Sequence, residues 1–101
     1  MSTHLPTLRQ LQYLIAVAEE GHFGRAAQNC FVTQSTLSAG IQELEAILGI
    51  TVIERTKRRV AITPLGQELV DRARRVLAEV EDMTVTAKAS TRPLTGLLRL
   101  G

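Results

Sequence analysis

The stretch from Cys30 to Gly49, CFVTQSTLSAGIQELEAILG, decides how the rest of the chain is read. Thr33 reads as a helix N-cap, a short hydroxyl side chain that accepts from the N–H groups a first turn leaves without partners. Behind it Leu37, Ile41, Leu44 and Leu48 recur on one stripe at helical spacing, and Gly49 supplies a stop. At about 100° per residue, Ser35, Ala39, Gln42 and Ala46 point away from that stripe, with Thr36 and Ser38 at their flanks. The outer face of the first two turns is therefore small and neutral-polar, with no long charged side chain. A solvated helix face ordinarily carries Lys or Glu there. Small hydroxyls and amides suit a surface that must be approached closely, such as the base edges of a DNA major groove.

Upstream, the lead-in MSTHLP ends at Pro6, and Thr7 with Gln10 three residues on spells a capping box. The first helix then has the stripe Leu8, Leu11, Ile15 and Ala18, widened by Leu14 and Val17, and stops at Gly21. A shorter helix follows from about Phe23 to Asn29, its Ala26-Ala27 pair small enough for another helix to come close. Cys30-Phe31-Val32 is the turn. Short helix, tight turn, then a helix with an unencumbered outer face is the helix-turn-helix pattern. A plain three-helix bundle would be the better reading if the chain stopped at Gly49.

Beyond Gly49 the period changes. Thr51-Val52-Ile53 and Val60-Ala61-Ile62 are short β-branched runs around ERTKRR, which reads as a two-stranded hairpin with a charged tip. Arg55, Lys57, Arg58 and Arg59 put four cations within five residues. A charge run is commonly a solvated loop; beside a reading helix it is more economically a wing touching phosphates or the minor groove. Thr63-Pro64 opens the last helix with a hydroxyl cap and a proline where its missing N–H costs nothing. Its seam is Leu65, Leu69, Ala73, Val76, Val80, Met83 and Ala87, broadened by Val70 and Leu77. From Pro64 to about Ser90 it would be roughly 40 Å long, more than the small body can cover. A partner helix is implied, against the alternative of a helix packed back on its own domain. Ser90-Thr91-Arg92-Pro93 breaks the helix, and LTGLLRLG (94–101) reads as a strand beginning.

At 101 residues the chain is one small domain with an extension. Apolar residues make up 45% but aromatics only 3%, so the core must be aliphatic, which favours helices. A net charge of +2 permits nucleic-acid binding only if the cations cluster, as they do at 55–59. One cysteine excludes an internal disulfide and fits a reducing compartment. There is no signal-like apolar core and no run long enough to cross a bilayer, so the expectation is a soluble bacterial cytoplasmic protein, at the nucleoid when bound. His4 and His22 are too far apart for a local metal pair, and no phosphate loop or nucleophile motif is present. Glu19-Glu20 and Glu81-Asp82 are helix neighbours facing different ways. Cys30 reads as a small buried hydrophobe rather than a reactive thiol. No catalytic residue, metal or cofactor is expected.

Taken together, HFGRAAQNCFVTQSTLSAGIQELEAILGITVIERTKRRVAITPLG, the long helix and PLTGLLRLG resemble the N-terminal part of LysR-type transcriptional regulators, over essentially the whole chain. HFGRAAQNC and ERTKRRV are most similar to the peroxide-sensing, OxyR-like branch. The resemblance implies a winged helix-turn-helix domain (1–63), a linker helix that dimerises (64–90), and a hinge with the first strand of a missing effector-binding domain (91–101). It further implies dimers or tetramers on an interrupted palindromic operator, RNA polymerase as a further partner, and control of an oxidative-stress response. The branch's redox cysteines lie in the sensor domain, so Cys30 is given no such role. Two departures stand out: Ser35 replaces a usual Pro, and Gly40 and Gln42 lie where basic residues are common. The helix should thus make fewer phosphate contacts and leave more to the wing.

The combined expectation is a mainly α winged helix-turn-helix followed by a long dimerising helix, acting as a sequence-specific regulator on double-stranded DNA. Gln34, Ser35, Thr36, Ser38 and Gln42 would approach base edges or nearby phosphates, and Thr33 with the N–H groups behind it would hold a phosphate. Arg55, Lys57, Arg58 and Arg59 would serve the backbone and minor groove, with Arg25 a further phosphate contact. The alternatives are a dimerisation module whose third helix binds a protein, and a complete small winged-helix regulator without a sensor.

Overall fold

Each helix starts where the sequence supplies an acceptor three residues ahead of a free N–H. A computed structural model describes residues 4–55 and 60–91. It runs α1 (Leu8–Glu20), α2 (Phe23–Asn29), α3 (Gln34–Leu48), β1 (Ile53–Arg55), β2 (Val60–Ile62) and α4 (Pro64–Thr91). Thr7 Oγ1 accepts from the Gln10 N–H (3.1 Å), and Gln10 Oε1 accepts from the Thr7 N–H (3.0 Å), completing the capping box. Thr33 Oγ1 accepts from the Thr36 N–H at 3.1 Å, and Thr63 Oγ1 from the Gly66 N–H at 2.9 Å. At the far ends of α1 and α3, Gly21 (φ 64°) and Gly49 (φ 71°) adopt the left-handed conformation that terminates a helix and that other residues adopt at a cost.

The core gathers where α1, α2, α3 and the start of α4 meet. Leu14, Val17, Leu37, Ile41, Leu44, Val52 and Val70 are its largest fully buried side chains. Burying one such aliphatic side chain is worth roughly 1.5–3 kcal/mol, so this cluster supplies most of what offsets chain ordering. The stripe of α3 lies as expected: Leu37, Ile41 and Leu44 are buried and Leu48 half-buried.

That of α1 is rotated from its expected position. Its buried residues are Gln10, Tyr13, Leu14, Ala16 and Val17, while Leu11, Ile15 and Ala18 are half-buried and Leu8 is exposed. The reason is that α1 packs against α2, α3 and α4 at once. Its fully enclosed line is where these neighbours converge, and Leu8 and Leu11 fall toward the edge of that contact.

The hairpin is antiparallel, pairing Ile53 with Ile62, Glu54 with Ala61 and Arg55 with Val60. Its first strand therefore starts two residues later than Thr51-Val52-Ile53 suggests. Those earlier backbone groups are committed elsewhere. Glu45 on α3 accepts from the N–H groups of Val52 (3.0 Å) and Ile53 (3.3 Å) through one carboxylate oxygen. The Thr63 N–H donates to the Val52 carbonyl (3.0 Å), and the Thr63 hydroxyl donates to that of Thr51 (2.9 Å). Side chain and backbone thus tie α3, the root of the hairpin and the cap of α4 into one junction. Lys57, Arg58 and Arg59, and the strand expected at 94–101, lie outside the described residues.

Helix α4 extends one residue beyond the expected Ser90, and its seam divides in two. Val70 and Ala73 are buried and Leu69 half-buried, all against the chain's own core, so the first turns do pack back. Val70 thus belongs to the chain's own core cluster, while Ala73, equally buried, borders an open apolar groove. An ion pair from Arg74 to Glu19 (3.3 Å) ties α4 to α1 from outside. Past it, residues 81–91 are all exposed, with Met83 at 68%.

Replacing Glu45 by Ala strands two N–H groups at the hairpin root and should cost about 1–3 kcal/mol. Glu45→Gln, which keeps an acceptor oxygen, should cost less. Urea denaturation reads both as a lower midpoint at unchanged slope.

Candidate nucleic-acid interface

Helix α3 is held by its apolar stripe so that its other face is turned outward. Gln34, Ser35, Ala39 and Gln42 are exposed, Ser38 is half-buried, and together these five line one open, shallow surface. Thr33 and Thr36 are exposed just ahead of it, and the Thr33 hydroxyl also donates to Thr36 Oγ1 (2.9 Å). Of the six expected α3-region residues, then, five lie on α3 itself and Thr33 caps it. None of those five carries a formal charge; Glu43, exposed on the same helix, lies on the Thr36 and Ala39 flank. Arg25, exposed on α2, is the nearest of the expected cations in sequence, one helix upstream. Arg55 belongs to β1 by its backbone, and Lys57, Arg58 and Arg59 lie outside the described residues.

Gly40, on the inner flank of this face, is kept free of a side chain by packing. A Cβ on Gly40 would stand 2.6 and 2.7 Å from Cδ2 and Cε2 of Tyr13, closer than real Cβ atoms come. Tyr13 itself is only 4% exposed. Position 40 therefore admits no side chain, basic or otherwise, while Tyr13 keeps that place.

Several residues at this surface are not legible as site residues in the sequence. Arg9, exposed on α1, lines a groove with Thr36, Ala39 and Glu43 on one side, and a second groove with Gln12, Asn29, Cys30 and Phe31 on the other. It is a cation beside the start of α3, contributed by a helix whose pattern shows only packing. Phe31, in the turn, is 93% exposed at φ 59°, a left-handed conformation unusual for a bulky residue. The turn enforces it, since the Phe31 N–H donates to the Gln28 carbonyl (3.1 Å) and the Val32 N–H to that of Ala27 (3.0 Å). Beside it, Cys30 caps the end of α2 half-buried. Burial pushes its thiol up, the Arg9 charge opposing, so the net direction is away from a reactive thiolate.

A second surface lies across the molecule. Leu5, Pro6, Leu8 and Leu11 from the N-terminal side meet Leu44, Leu48, Leu69, Arg72 and Val76 in an open groove that is almost wholly apolar. Leu5 there is 69% exposed. Of the residues expected in the dimer seam, Leu65, Val76, Met83 and Ala87 are exposed, Leu69, Leu77 and Val80 half-buried, and Ala73 enclosed. The contribution of Leu5, Leu8 and Leu11 to this face is hidden in the sequence because their spacing reads equally well as core. No described helix is long and apolar enough to cross a membrane.

Known proteins resemble the chain along nearly its whole length. It is 50% identical over 97 residues to the HTH-type transcriptional regulator EstR of Acinetobacter baylyi, covering 96% of this chain and 32% of that protein. It is 46% identical over 94 residues to the DNA-binding transcriptional dual regulator OxyR of Escherichia coli, covering 93% and 31%. The chain thus spans about a third of the length of these curated relatives. Among solved structures, a full-length OxyR mutant from Pseudomonas aeruginosa superposes with a TM-score of 0.85 at 42% identity, over 90% of this chain and 30% of that one. A complex of the BenM DNA-binding domain with catB site 1 DNA superposes with 0.82 at 38% identity, over 86% and 98%. The model of the bacterial regulatory helix-turn-helix proteins of the lysR family matches residues 8–67, the span from the start of α1 to the first turn of α4. With that match over more than half its residues, on a three-helix core, a hairpin and a long fourth helix, the chain belongs to the lysR family.

Proposed function

We propose that the chain is the DNA-binding and dimerising part of a transcriptional regulator. The observation that carries this is the outer face of α3: Gln34, Ser35, Ser38, Ala39 and Gln42 are presented together, with no long charged side chain to hold a double helix away. Gln34, Ser38 and Gln42 offer amide and hydroxyl groups to base edges, with Ser35 and Thr36 beside them. Thr33 and the N–H groups at the start of α3 favour a phosphate oxygen. Arg25 and Arg9 add phosphate contacts from α2 and α1, and the basic residues at 55–59 extend them toward the minor groove. The similarity to a BenM domain solved with DNA supports the same reading.

In this proposal two chains associate through α4. The stretch from Val76 to Met83, with Val76 and Met83 exposed and Leu77 and Val80 half-buried, and the apolar groove beside Leu5, Leu8 and Leu69 together form a surface one copy leaves open. A dimer holds two reading helices at a fixed spacing and so demands a two-part operator. Residues 64–90 are the linker, and 91–101 lead into an effector-binding domain of a longer protein that acts as a dimer or tetramer and contacts RNA polymerase. Similarity to OxyR supports a peroxide-linked signal for that protein. Genome-wide binding of the full-length parent, with and without oxidant, tests that assignment. Occupancy that ignores oxidant would reject it.

Gln34→Ala or Ser38→Ala should change which sequences are selected from a randomised duplex pool, by about 1–3 kcal/mol for each base interaction removed. Lys57→Ala should weaken every sequence alike. A uniform loss from all three would mean that α3 is not the reader.

Neutralising Arg58 and Arg59 together should flatten the slope of log affinity against log salt by about two units, one for each phosphate no longer neutralised. An unchanged slope would make that segment a solvated loop.

Val76→Glu with Val80→Glu should yield monomers in sedimentation while the helical signal of α1 to α3 persists, and affinity should fall toward that of one half-site. If the wild-type chain sediments as a monomer at micromolar concentration yet binds a two-half-site duplex undiminished, α4 is not the dimer seam.

A further inference from the structure

Gly40 stands in the interior of α3, where glycine is disfavoured relative to alanine because its backbone has more freedom to lose. Its φ is not in the left-handed region, as those of Gly21 and Gly49 are, so no turn requires it. What requires it is Tyr13. Cδ2 and Cε2, the two atoms a Cβ at position 40 would strike, are neighbours on one edge of the ring, while Cγ stands clear at 3.9 Å. That edge therefore lies on the Gly40 backbone. Tyr13 is part of the core cluster with Leu14, Val17, Leu37 and Ile41, so its ring is not a loose end that swings aside at no cost. It borders Thr36, Ala39 and Glu43 of α3 on one side, and Asn29, Cys30 and Phe31 of the preceding turn on the other.

The outer face of α3 is sensitive to such a seat because its side chains are short. Ordinary contact between carbons lies near 3.5–4.0 Å, so a methyl at position 40 would part ring and helix by about 1 Å. A hydrogen bond tolerates a range of roughly 0.5 Å. Ser38 has no reach with which to make up the difference, and the amides of Gln34 and Gln42 have little. The long side chains of Arg9 and Arg25 can follow a phosphate through the same displacement.

We infer that Tyr13 and Gly40 are positioning residues for base recognition: without touching the duplex, their contact sets the place from which Gln34, Ser38 and Gln42 reach base edges. This rests on the duplex-binding reading above. The contact acts on selectivity, whereas phosphate attraction is left as it was.

The readout is the ratio of affinities for two duplexes, one enriched from a randomised pool by the wild-type chain and one scrambled. Gly40→Ala should lower that ratio about tenfold through the enriched duplex alone, with the salt slope on the scrambled duplex unchanged. Tyr13→Leu, which leaves α3 loosely seated, should lower it too. The double variant should recover most of it, because a flexible leucine can turn away from the added methyl. A purely structural contact would behave otherwise: loss of folded protein, measured by urea denaturation, scales both affinities together and leaves the ratio untouched. Should Gly40→Ala fail to fold, the double variant is compared with Tyr13→Leu, and recovery of selectivity is again the expected result. An unchanged ratio in folded Gly40→Ala, or a double variant no more selective than Tyr13→Leu, would reduce the pair to packing. If the wild type enriches no duplex at all, the duplex reading fails and the positioning role with it; enrichment with unaltered ratios rejects the positioning role alone.

Discussion

Burial of Leu37, Ile41 and Leu44 against Leu14 and Val17 orients α3, and with it everything its outer surface can do. A helix cannot hide one stripe without turning the opposite one outward, so the packing of α3 and the exposure of Gln34, Ser35 and Gln42 are a single event. Tyr13 sharpens this. Its ring fills the place a side chain at position 40 would need, and so brings α1 and α3 together beneath the exposed face.

That orientation is passed on to the hairpin by one carboxylate. Glu45 lies on α3, half-buried, and receives two consecutive N–H groups from the hairpin root. On the other side of the root, Thr63 binds the Thr51 and Val52 carbonyls and caps α4. Helix α3, the hairpin and the long helix are therefore joined by a few polar groups in addition to the apolar cluster that Val52, Ile53 and Val70 share with Leu37, Ile41 and Leu44. Polar junctions of this kind are directional, and they set relative angle more sharply than packing does.

Much of this is legible in the chain because it is local. Thr7 with Gln10, Thr33 and Thr63 announce their caps within three residues, and Gly21 and Gly49 announce the stops. The stripe of α3 faces one way because that helix has one buried side. The stripe of α1 reads with the wrong rotation because that helix is packed on several sides, and Leu8, Leu11, Leu14 and Val17 satisfy more than one helical stripe. Nothing at Glu45 distinguishes it from the solvated acids around it, since its partners lie seven and eight residues away across a turn. Val70 and Ala73 share the periodicity of Val76 and Val80, and only the crossing of α1 separates those that face inward from those left open. The site divides the same way: the face of α3 follows from spacing, whereas Arg9 reaches it through the fold.

Among the described residues, helix α4 is held near its beginning by the Thr63 cap, by the burial of Val70 and Ala73, and by Arg74 on Glu19. Its 28 residues extend about 42 Å. Mechanically this is a lever with its fulcrum close to one end. A tilt of about 10° about its crossing with α1 would carry the far end, about 26 Å beyond Arg74, through about 4.5 Å, more than the rise of one base pair. Small changes in how the first turns sit on α1 are thereby amplified along the arm, and the apolar contact at the crossing sets its gain.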